Sequence, residues 1–405
     1  MCKQLLVLLI ALAPFSGASA FSLVYTIDNN PLADCKDCPV ALPLSRFPEC
    51  PVEQRARLAV FLGGEEISSQ LDDLNADGIP DEIAFLMDIR KGVPAEIELR
   101  TVSQRAVFPK EVHAQMFIKG PVGDGFRPIY AEGKHYGIKP VTEQSFLPAD
   151  KSFNLMHHHG VAFESSLMAY RIYFDKRQTV DVYAKKTPRL ELAESLWYPN
   201  DDQLAAGFGD DVLRVGNSIG VGSVRAYDGE RLVKMDRFRK RTQRILAQGN
   251  IRTVCEVELS GWQLPNDTVD IRVRYTLYAR HRDVLCEVFL SHAVPNLVTG
   301  VMKISDGDVF TDGTLLGSWG TDWPVNDTVK YPKETIGIAV YVPELYAASH
   351  VSDSDNHLIC LAPSDYLRFY LTAVSQKENN PPAVTMSSFW TYISDWRRRL
   401  HSMGY

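Results

Sequence analysis

Short runs of alternating apolar and polar residues recur along most of the chain and constrain its fold more than any other feature. Examples are ARLAVFL, AEIELRTV, TVDVYAK, RTVCEVEL and DIRVRYTLYA, with Gly, Pro, Asn and Asp between such runs. Successive side chains of a strand point to opposite faces, so the pattern predicts half-buried antiparallel strands. Helical spacing is clearest near the C terminus, where Phe389, Ile393 and Trp396 share one face. The sequence predicts a mainly β protein with a C-terminal helix.

The length of 405 residues exceeds the usual size of one hydrophobic core. We therefore expect a small β-sandwich over residues 21–110 and a large antiparallel β-sandwich over residues 111–405. Long loops rich in Gly, Asp, Trp and Asn, such as 186–225 and 295–335, are where a binding cleft is expected.

Residues 1–20 have a basic start, an apolar centre and the small-residue exit Ala18-Ser19-Ala20. This pattern predicts a signal peptide cleaved near Ala20 and a secreted or periplasmic protein. No later stretch is apolar enough for membrane insertion. The net charge of −7, without a basic stripe, argues against nucleic acid as a partner.

Six cysteines follow the predicted signal peptide. Cys35, Cys38 and Cys50 lie close together near the start of the mature chain, and no histidine lies close to them in sequence. Zinc usually takes four ligands, so a structural disulfide is the expected use of this group.

The segment DLNADGIPDE places oxygen-bearing side chains at alternate positions around a glycine. This spacing is typical of loops that wrap a hard cation, so it predicts a structural calcium site. The expected ligands are Asp73, Asn75, Asp77 and Asp81. An Asx-rich turn leading into a strand is the alternative, because the distant glutamate of a full helix-loop-helix site is missing and Glu82 is too close to replace it.

Three consecutive histidines precede a predicted hairpin over residues 168–185. Met168, Tyr170, Ile172 and Phe174 share one face of its first strand, and the opposite face carries cations, phenols and a carboxylate. We expect that polar face to line a cleft, with a solvated sheet face as the alternative. Imidazole supplies acid, base or ligand chemistry near neutral pH. The predicted catalytic residues are His158, His159, Glu164 and Tyr183, and the predicted substrate-binding residues are His157, Arg171, Tyr173, Asp181 and Lys185.

Four segments together resemble a bacterial family, the domain of unknown function 4861: DDLNADGIPDEIAFL, HHHGVAFES running into YRIYFD, VDVYAKK, and FGDDVLRVGNSIGVGS. The resemblance covers nearly the whole mature chain. It implies a polysaccharide-degrading context, a large sandwich similar to galactose-mutarotase-like folds, and a uronate-bearing substrate. It supplies no established reaction.

The expected function is a secreted carbohydrate-active enzyme that cleaves pectin- or alginate-like oligosaccharides by lyase-type β-elimination. That reaction needs a cation for the uronate carboxylate, a base for the C5 proton and an acid for the leaving oxygen. Arg171 or Lys185 suits the first role, His158 or His159 the second, and Tyr183 or Tyr173 the third. A glycoside hydrolase using Glu164 with Asp181 or Asp210 is one alternative. A non-catalytic protein that binds acidic oligosaccharide or polysaccharide is another.

Overall fold

The computed structural model describes residues 20–27, 34–119, 126–128, 136–137, 141–142 and 156–402. The predicted signal peptide, apart from Ala20, lies outside these residues. The chain divides into two compact units, one formed by residues up to Pro109 with those from Arg399 onward, and the other by Lys110–Arg398.

The first unit contains two antiparallel sheets. Its strands are β1 (Ser22–Ile27), β2 (Cys35–Pro43), β3 (Leu58–Leu62), β4 (Glu65–Ile67), β5 (Ser69–Asp72), β6 (Glu82–Ile89) and β7 (Ala95–Thr101), with 3-10 helices at Leu44–Arg46 and Val52–Arg57. One sheet has the order β1-β7-β3-β4 and the other β2-β6-β5. Both contribute to the buried residues, which include Val60 and Leu99 from the first sheet and Ile83 and Phe85 from the second.

Cys35, Cys38 and Cys50 are buried free thiols in this unit. The expected disulfide among them is therefore not formed in this structure. Cys35 and Cys38 lie on β2 at either end of a shift in its pairing with β6, and their sulfur atoms are hydrogen-bonded to each other.

The second unit carries the remaining described strands and the α-helices. Its strands are β8 (Val112–Lys119), β9 (Phe126–Pro128), β10 (Tyr136–Gly137), β11 (Val141–Thr142), β12 (Met156–Ser165), β13 (Met168–Tyr173), β14 (Val180–Ala184), β15 (Asp210–Asp211), β16 (Arg225–Ala226), β17 (Lys240–Gln248), β18 (Arg252–Leu264), β19 (Asp267–Tyr278), β20 (Val284–Leu290), β21 (Leu297–Met302), β22 (Asp308–Thr311), β23 (Leu315–Asp322), β24 (Glu334–Tyr341), β25 (Ala347–Ser352), β26 (Asn356–Leu361) and β27 (Tyr366–Ser375). Its helices are α1 (Leu192–Ser195), α2 (Asp201–Ala205) and α3 (Met386–Ser402).

In the described part of this unit, three sheets surround one core. The largest has the order β10-β17-β18-β19-β20-β27-β24-β23-β22, with β11 also paired to β17. A six-stranded sheet has the order β15-β14-β13-β12-β8-β9, and a four-stranded sheet the order β16-β21-β26-β25. Phe163 and Ile172 of the six-stranded sheet share a buried cluster with Val257 and Val273 of the largest sheet and Ile359 of the four-stranded sheet.

The C-terminal helix α3 packs on the largest sheet through the face that its sequence predicts. Phe389, Ile393 and Trp396 are buried. Gly337 on β24 permits this approach, because a Cβ atom there would lie only 2.6 Å from the ring of Phe389. The mainly β architecture, with its antiparallel sheets and C-terminal helix, is confirmed. Among the described residues, no helix is both long and apolar enough to span a membrane.

Candidate functional site

The hairpin β13–β14 separates its apolar and polar side chains as the alternation predicts. Tyr170 and Ile172 point into the core between the sheets, while Arg171 lies opposite Asp181 across the strand pair. Arg171 Nε donates a hydrogen bond to Asp181 Oδ2 at 2.9 Å. Tyr183 belongs to a separate buried cluster away from that core. The predicted assignment of faces is therefore confirmed.

The polar face is a buried layer, and the expectation that it lines an open cleft is wrong. Residues of the segment 189–211, which contains α1 and α2, lie against it. Leu192 and Trp197 of that segment pack on Ala162, Ala169 and Tyr183 of the sheet, and all five side chains are fully buried. An alternating strand pattern cannot distinguish a polar face covered by another part of the chain from one open to solvent.

Arg171 lies at the centre of this layer. Its Nη2 lies 2.7 Å from Asp181 Oδ2 and 2.9 Å from Asp211 Oδ2, so one guanidinium serves two carboxylates. It also donates to the phenol oxygens of Tyr173, at 3.0 Å, and Tyr198, at 2.7 Å. Only 4% of Arg171 is exposed. The cation predicted to bind substrate is thus enclosed by its own partners and organises the groups around it.

Asp211 was not predicted from the sequence, although its neighbour Asp210 was considered. Trp197 Nε1 donates to Asp211 Oδ2 at 3.2 Å. Burial, followed by the nearby Asp181 carboxylate, raises the pKa of Asp211 to about 8. Arg171 opposes this shift without cancelling it, because its single charge is shared between two acids. Burial and the nearby Asp181 therefore favour the protonated form of Asp211.

A second buried pair lies further along the same face. Lys185 donates to Glu164, whose carboxylate also accepts the backbone N–H groups of Glu191 and Leu192. Tyr183 donates to Glu191 at 2.8 Å. Glu164, Tyr183 and Lys185 were predicted to act on or bind a substrate, but at most 2% of each is exposed. Their contacts in this structure hold the covering segment onto the sheet.

The histidine run forms an irregular part of β12. Its pairing with β8 shifts between His157 and Ala162, and His158 and His159 have φ angles of 56° and 63°. Leu196 and Trp197, in the covering segment, also have positive φ angles, 50° and 72°. Such conformations are costly for residues other than glycine and collect at functional sites. His157 Nε2 lies 2.7 Å from the carbonyl oxygen of Leu196, so the two irregular segments are in contact.

His158 is sealed inside the protein. Gln115 Nε2 donates to its Nε2 at 2.9 Å, which places the ring proton on Nδ1. That nitrogen is buried and has no hydrogen-bond partner among the described residues. Burial, then His157 and Arg171, lower the pKa of His158 well below its usual value, so the ring is neutral. Gln115 also donates to the carbonyl of Leu192, which links His158 to the covering segment.

The more accessible groups lie at the edge of this layer. His157 and His159 are half-buried, and Tyr198 is 47% exposed. The rings of His157 and Tyr198 lie 5.8 Å apart, and those of His159 and Tyr173 lie 6.1 Å apart. We call His157, His159 and Tyr198 the histidine–tyrosine rim. Tyr198 was not predicted, although it lies in the 186–225 loop, where a binding cleft was expected.

In the predicted calcium loop, the side-chain oxygens accept hydrogen bonds from the loop's own backbone. Asp73 Oδ1 accepts from Ala76 N at 2.7 Å, and Asp81 Oδ2 accepts from Leu74 N at 2.7 Å. Asn75 and Asp77 make similar bonds to residues two positions further on. No group of three or more metal-binding Asp, Glu, His or Cys side chains occurs in the described part of the chain. Calcium binding here stays a prediction.

The family model described as Domain of unknown function (DUF4861) matches residues 27–403. The chain belongs to this family. Among curated proteins, no sequence matches it.

Two solved structures from Enterococcus faecalis are similar in part. One is a protein in the glycosyl hydrolase family 38, with a TM-score of 0.42 and 8% identity, covering 94% of this chain and 46% of that one. The other is an alpha-mannosidase from strain V583, with a TM-score of 0.39 and 8% identity, covering 93% and 45%. The chain spans less than half the length of either protein. Similarity at this level identifies neither a substrate nor a reaction.

Proposed function

We propose that this protein is a carbohydrate-active enzyme that cleaves uronate-containing, pectin- or alginate-like oligosaccharides by β-elimination at the histidine–tyrosine rim. The observation that carries the proposal is the pairing of a half-buried imidazole, His157, with an exposed phenol, Tyr198, between two segments of strained backbone. Elimination needs one group that takes a proton and another that donates one.

Tyr198 suits the acid. Its oxygen accepts a hydrogen bond from Arg171, so its own proton is directed elsewhere. Burial raises the pKa of Tyr198, and the Arg171 charge offsets only part of that effect. The phenol therefore keeps its proton at neutral pH and can donate it to a leaving oxygen. Tyr173, by contrast, donates its proton to Asp181 at 2.8 Å.

His157 suits the base. A hydrogen bond from Nε2 to the Leu196 carbonyl fixes the tautomer that carries its proton on Nε2. The lone pair is then on Nδ1, which is the form that accepts a proton from carbon. His159, on the same irregular stretch, is assigned to the substrate carboxylate as a hydrogen-bond donor. Arg171 becomes a positioning residue for Tyr198, because it is enclosed by its carboxylate and phenol partners.

The carboxylates make elimination a better proposal than hydrolysis. A glycoside hydrolase needs two carboxyl groups on opposite sides of the scissile bond. Glu164 and Asp181 are fully buried and hydrogen-bonded, and Asp211 is 7% exposed. Asp210 alone of these four acids is partly exposed. The more accessible chemistry at the rim is imidazole and phenol.

The test is an assay of the purified chain on polygalacturonate and alginate oligomers. Elimination leaves an unsaturated uronate, which is followed by its ultraviolet absorbance, while new reducing ends report either reaction. His157→Ala and Tyr198→Phe should each lower the rate by about 100-fold or more. The matched controls His292→Ala and Tyr227→Phe, outside the rim, should retain the wild-type rate.

Other outcomes would overturn the proposal. New reducing ends without ultraviolet absorbance would identify a hydrolase. Binding without any product would identify a non-catalytic glycan-binding protein. Full elimination by both rim variants would place the active site elsewhere in the chain.

A further inference from the structure

A small cavity lies at the far end of the buried polar layer. Its volume is about 130 Å³, and it is lined by residues from the β12–β13 turn, from the segment after β14 and from the segment after β27. A water molecule in the liquid occupies about 30 Å³, so the space equals roughly four waters. Lys185, which lines it, is four residues beyond Asp181, or about 13 Å along an extended strand. None of the three rim residues lines the cavity, so it is separate from the histidine–tyrosine rim.

The charges around the cavity do not cancel. Lys185, Lys186 and Arg282 contribute three cations to its lining, and Glu378 contributes one carboxylate. Arg282 is occupied by a two-point pair with Glu378, at 3.0 Å for each bond. Lys185 is paired with Glu164. One positive charge remains, which matches a ligand with a single negative charge.

Lys185 is placed to contact a ligand despite its burial. Its ammonium group has three N–H donors, and one of them serves Glu164. Glu164 also accepts two backbone N–H groups from the covering segment, so its position does not depend on the lysine alone. The hydroxyl residues Ser166 and Thr187 line the same space and add hydrogen-bond donors.

We propose that this cavity binds a carboxylate, either a small organic acid or the carboxylate end of a uronic acid, through the ammonium groups of Lys185 and Lys186. A single negative charge compensates the one positive charge that remains in the lining. A dianion such as sulfate would leave one of its two charges without a cation. This site is additional to the elimination proposed above and does not depend on it.

Calorimetry on the full chain at low ionic strength provides the test, with acetate, galacturonate, galactose and sulfate as probes. Acetate and galacturonate should bind with one-to-one stoichiometry, sulfate more weakly, and neutral galactose not at all. Comparable affinities for the two acids would identify a small-acid site, and a clear preference for galacturonate would identify a uronate subsite.

Two lysine variants test whether the carboxylate binds at this cavity. Lys186→Glu reverses a charge at the exposed part of the lining and should weaken carboxylate binding by about tenfold or more. Lys234→Glu makes the same charge change at an exposed position outside the lining and should leave binding unchanged. The absence of binding by either acid would overturn the proposal, as would equal affinities in these two variants. His157→Ala should retain the cavity's binding, so failure of the elimination proposal is distinguishable from failure of this one.

Discussion

Two polar sheet faces in the second unit arise from similar sequence patterns and have different environments. MAYRIYF, in the six-stranded sheet, and DIRVRYTLYA, in the largest sheet, both alternate apolar residues with arginine and tyrosine. Arg171 in the first is 4% exposed and covered by the segment 189–211. Arg272 in the second has a side chain that is 44% exposed.

The face on the largest sheet, which is exposed at Arg272, contains redundant ion pairs around a buried carboxylate. Glu256 on β18 lies 3.0 Å from Arg244 on β17 and 3.2 Å from Arg274 on β19. Arg272 also approaches it, at 3.5 Å. Only 4% of the Glu256 side chain is exposed. If one of these cations is removed, however, the other two still compensate the carboxylate.

On the buried face the cations are not redundant, because Arg171 alone compensates Asp181 and Asp211 among the described contacts. The charge pattern within a strand therefore does not determine how much a charge contributes to stability. That contribution depends on which part of the chain covers the face and on whether the charge has a second partner.

We expect the largest loss of stability when the buried Arg171 is substituted. Arg171→Met keeps much of the side-chain volume but leaves the buried Asp181 carboxylate and its neighbour Asp211 without the guanidinium, so we expect a loss of about 3–5 kcal/mol of unfolding free energy. Arg274→Met, the matched change on the largest sheet, should cost less, because Arg244 and Arg272 still compensate Glu256. Urea unfolding of both variants measures the difference, and equal losses would contradict the comparison.

Sequence reasoning predicts much of this arrangement. Alternation assigns Tyr170 and Arg171 to opposite faces, and helical spacing identifies the buried side of α3, because both patterns follow from local backbone geometry. The covering segment is not predictable in this way. Asp211 and Trp197 reach Arg171 through contacts between residues far apart in sequence, and no local pattern encodes that approach.

The backbone conformation of the histidine run is likewise not predictable from a local sequence pattern. An extended conformation puts His158 and Glu164 on one face, and both side chains do reach Leu192, His158 through Gln115. They do so around a shifted pairing with positive φ angles, which the sequence HHHG does not predict. The shift brings His157 into contact with Leu196 beside Tyr198, and this contact gives the rim its proposed acid and base.

A second effect, specific to the buried face, is a dependence of stability on pH. An aspartate has a pKa of about 3.9 in an unfolded chain, and burial in the folded protein raises the pKa of Asp211 to about 8. The folded state therefore holds this proton more tightly. Its stabilising contribution is complete below pH 4 and declines as the pH rises towards 8.

Asp211→Asn tests that dependence, because asparagine resembles the protonated acid and does not titrate. Unfolding free energies measured between pH 5 and pH 8 should fall more steeply for the wild type than for the variant. Parallel curves would show that Asp211 is ionised throughout and that Arg171 fully compensates both acids.

We expect the smallest loss of unfolding free energy at Arg272, the exposed arginine of the largest sheet. Its guanidinium lies 4.6 Å from the ring centroid of Phe289 and approaches a carboxylate that two other arginines already serve. Arg272→Ala should therefore cost only about 0.5 kcal/mol at low ionic strength. Raising the salt concentration to about 1 M should reduce that cost, because the Debye length falls to about 3 Å and the side chain is accessible to ions. A cost that is large and insensitive to salt would show that this face, too, is shielded from solvent, and would remove the distinction between the two sheets.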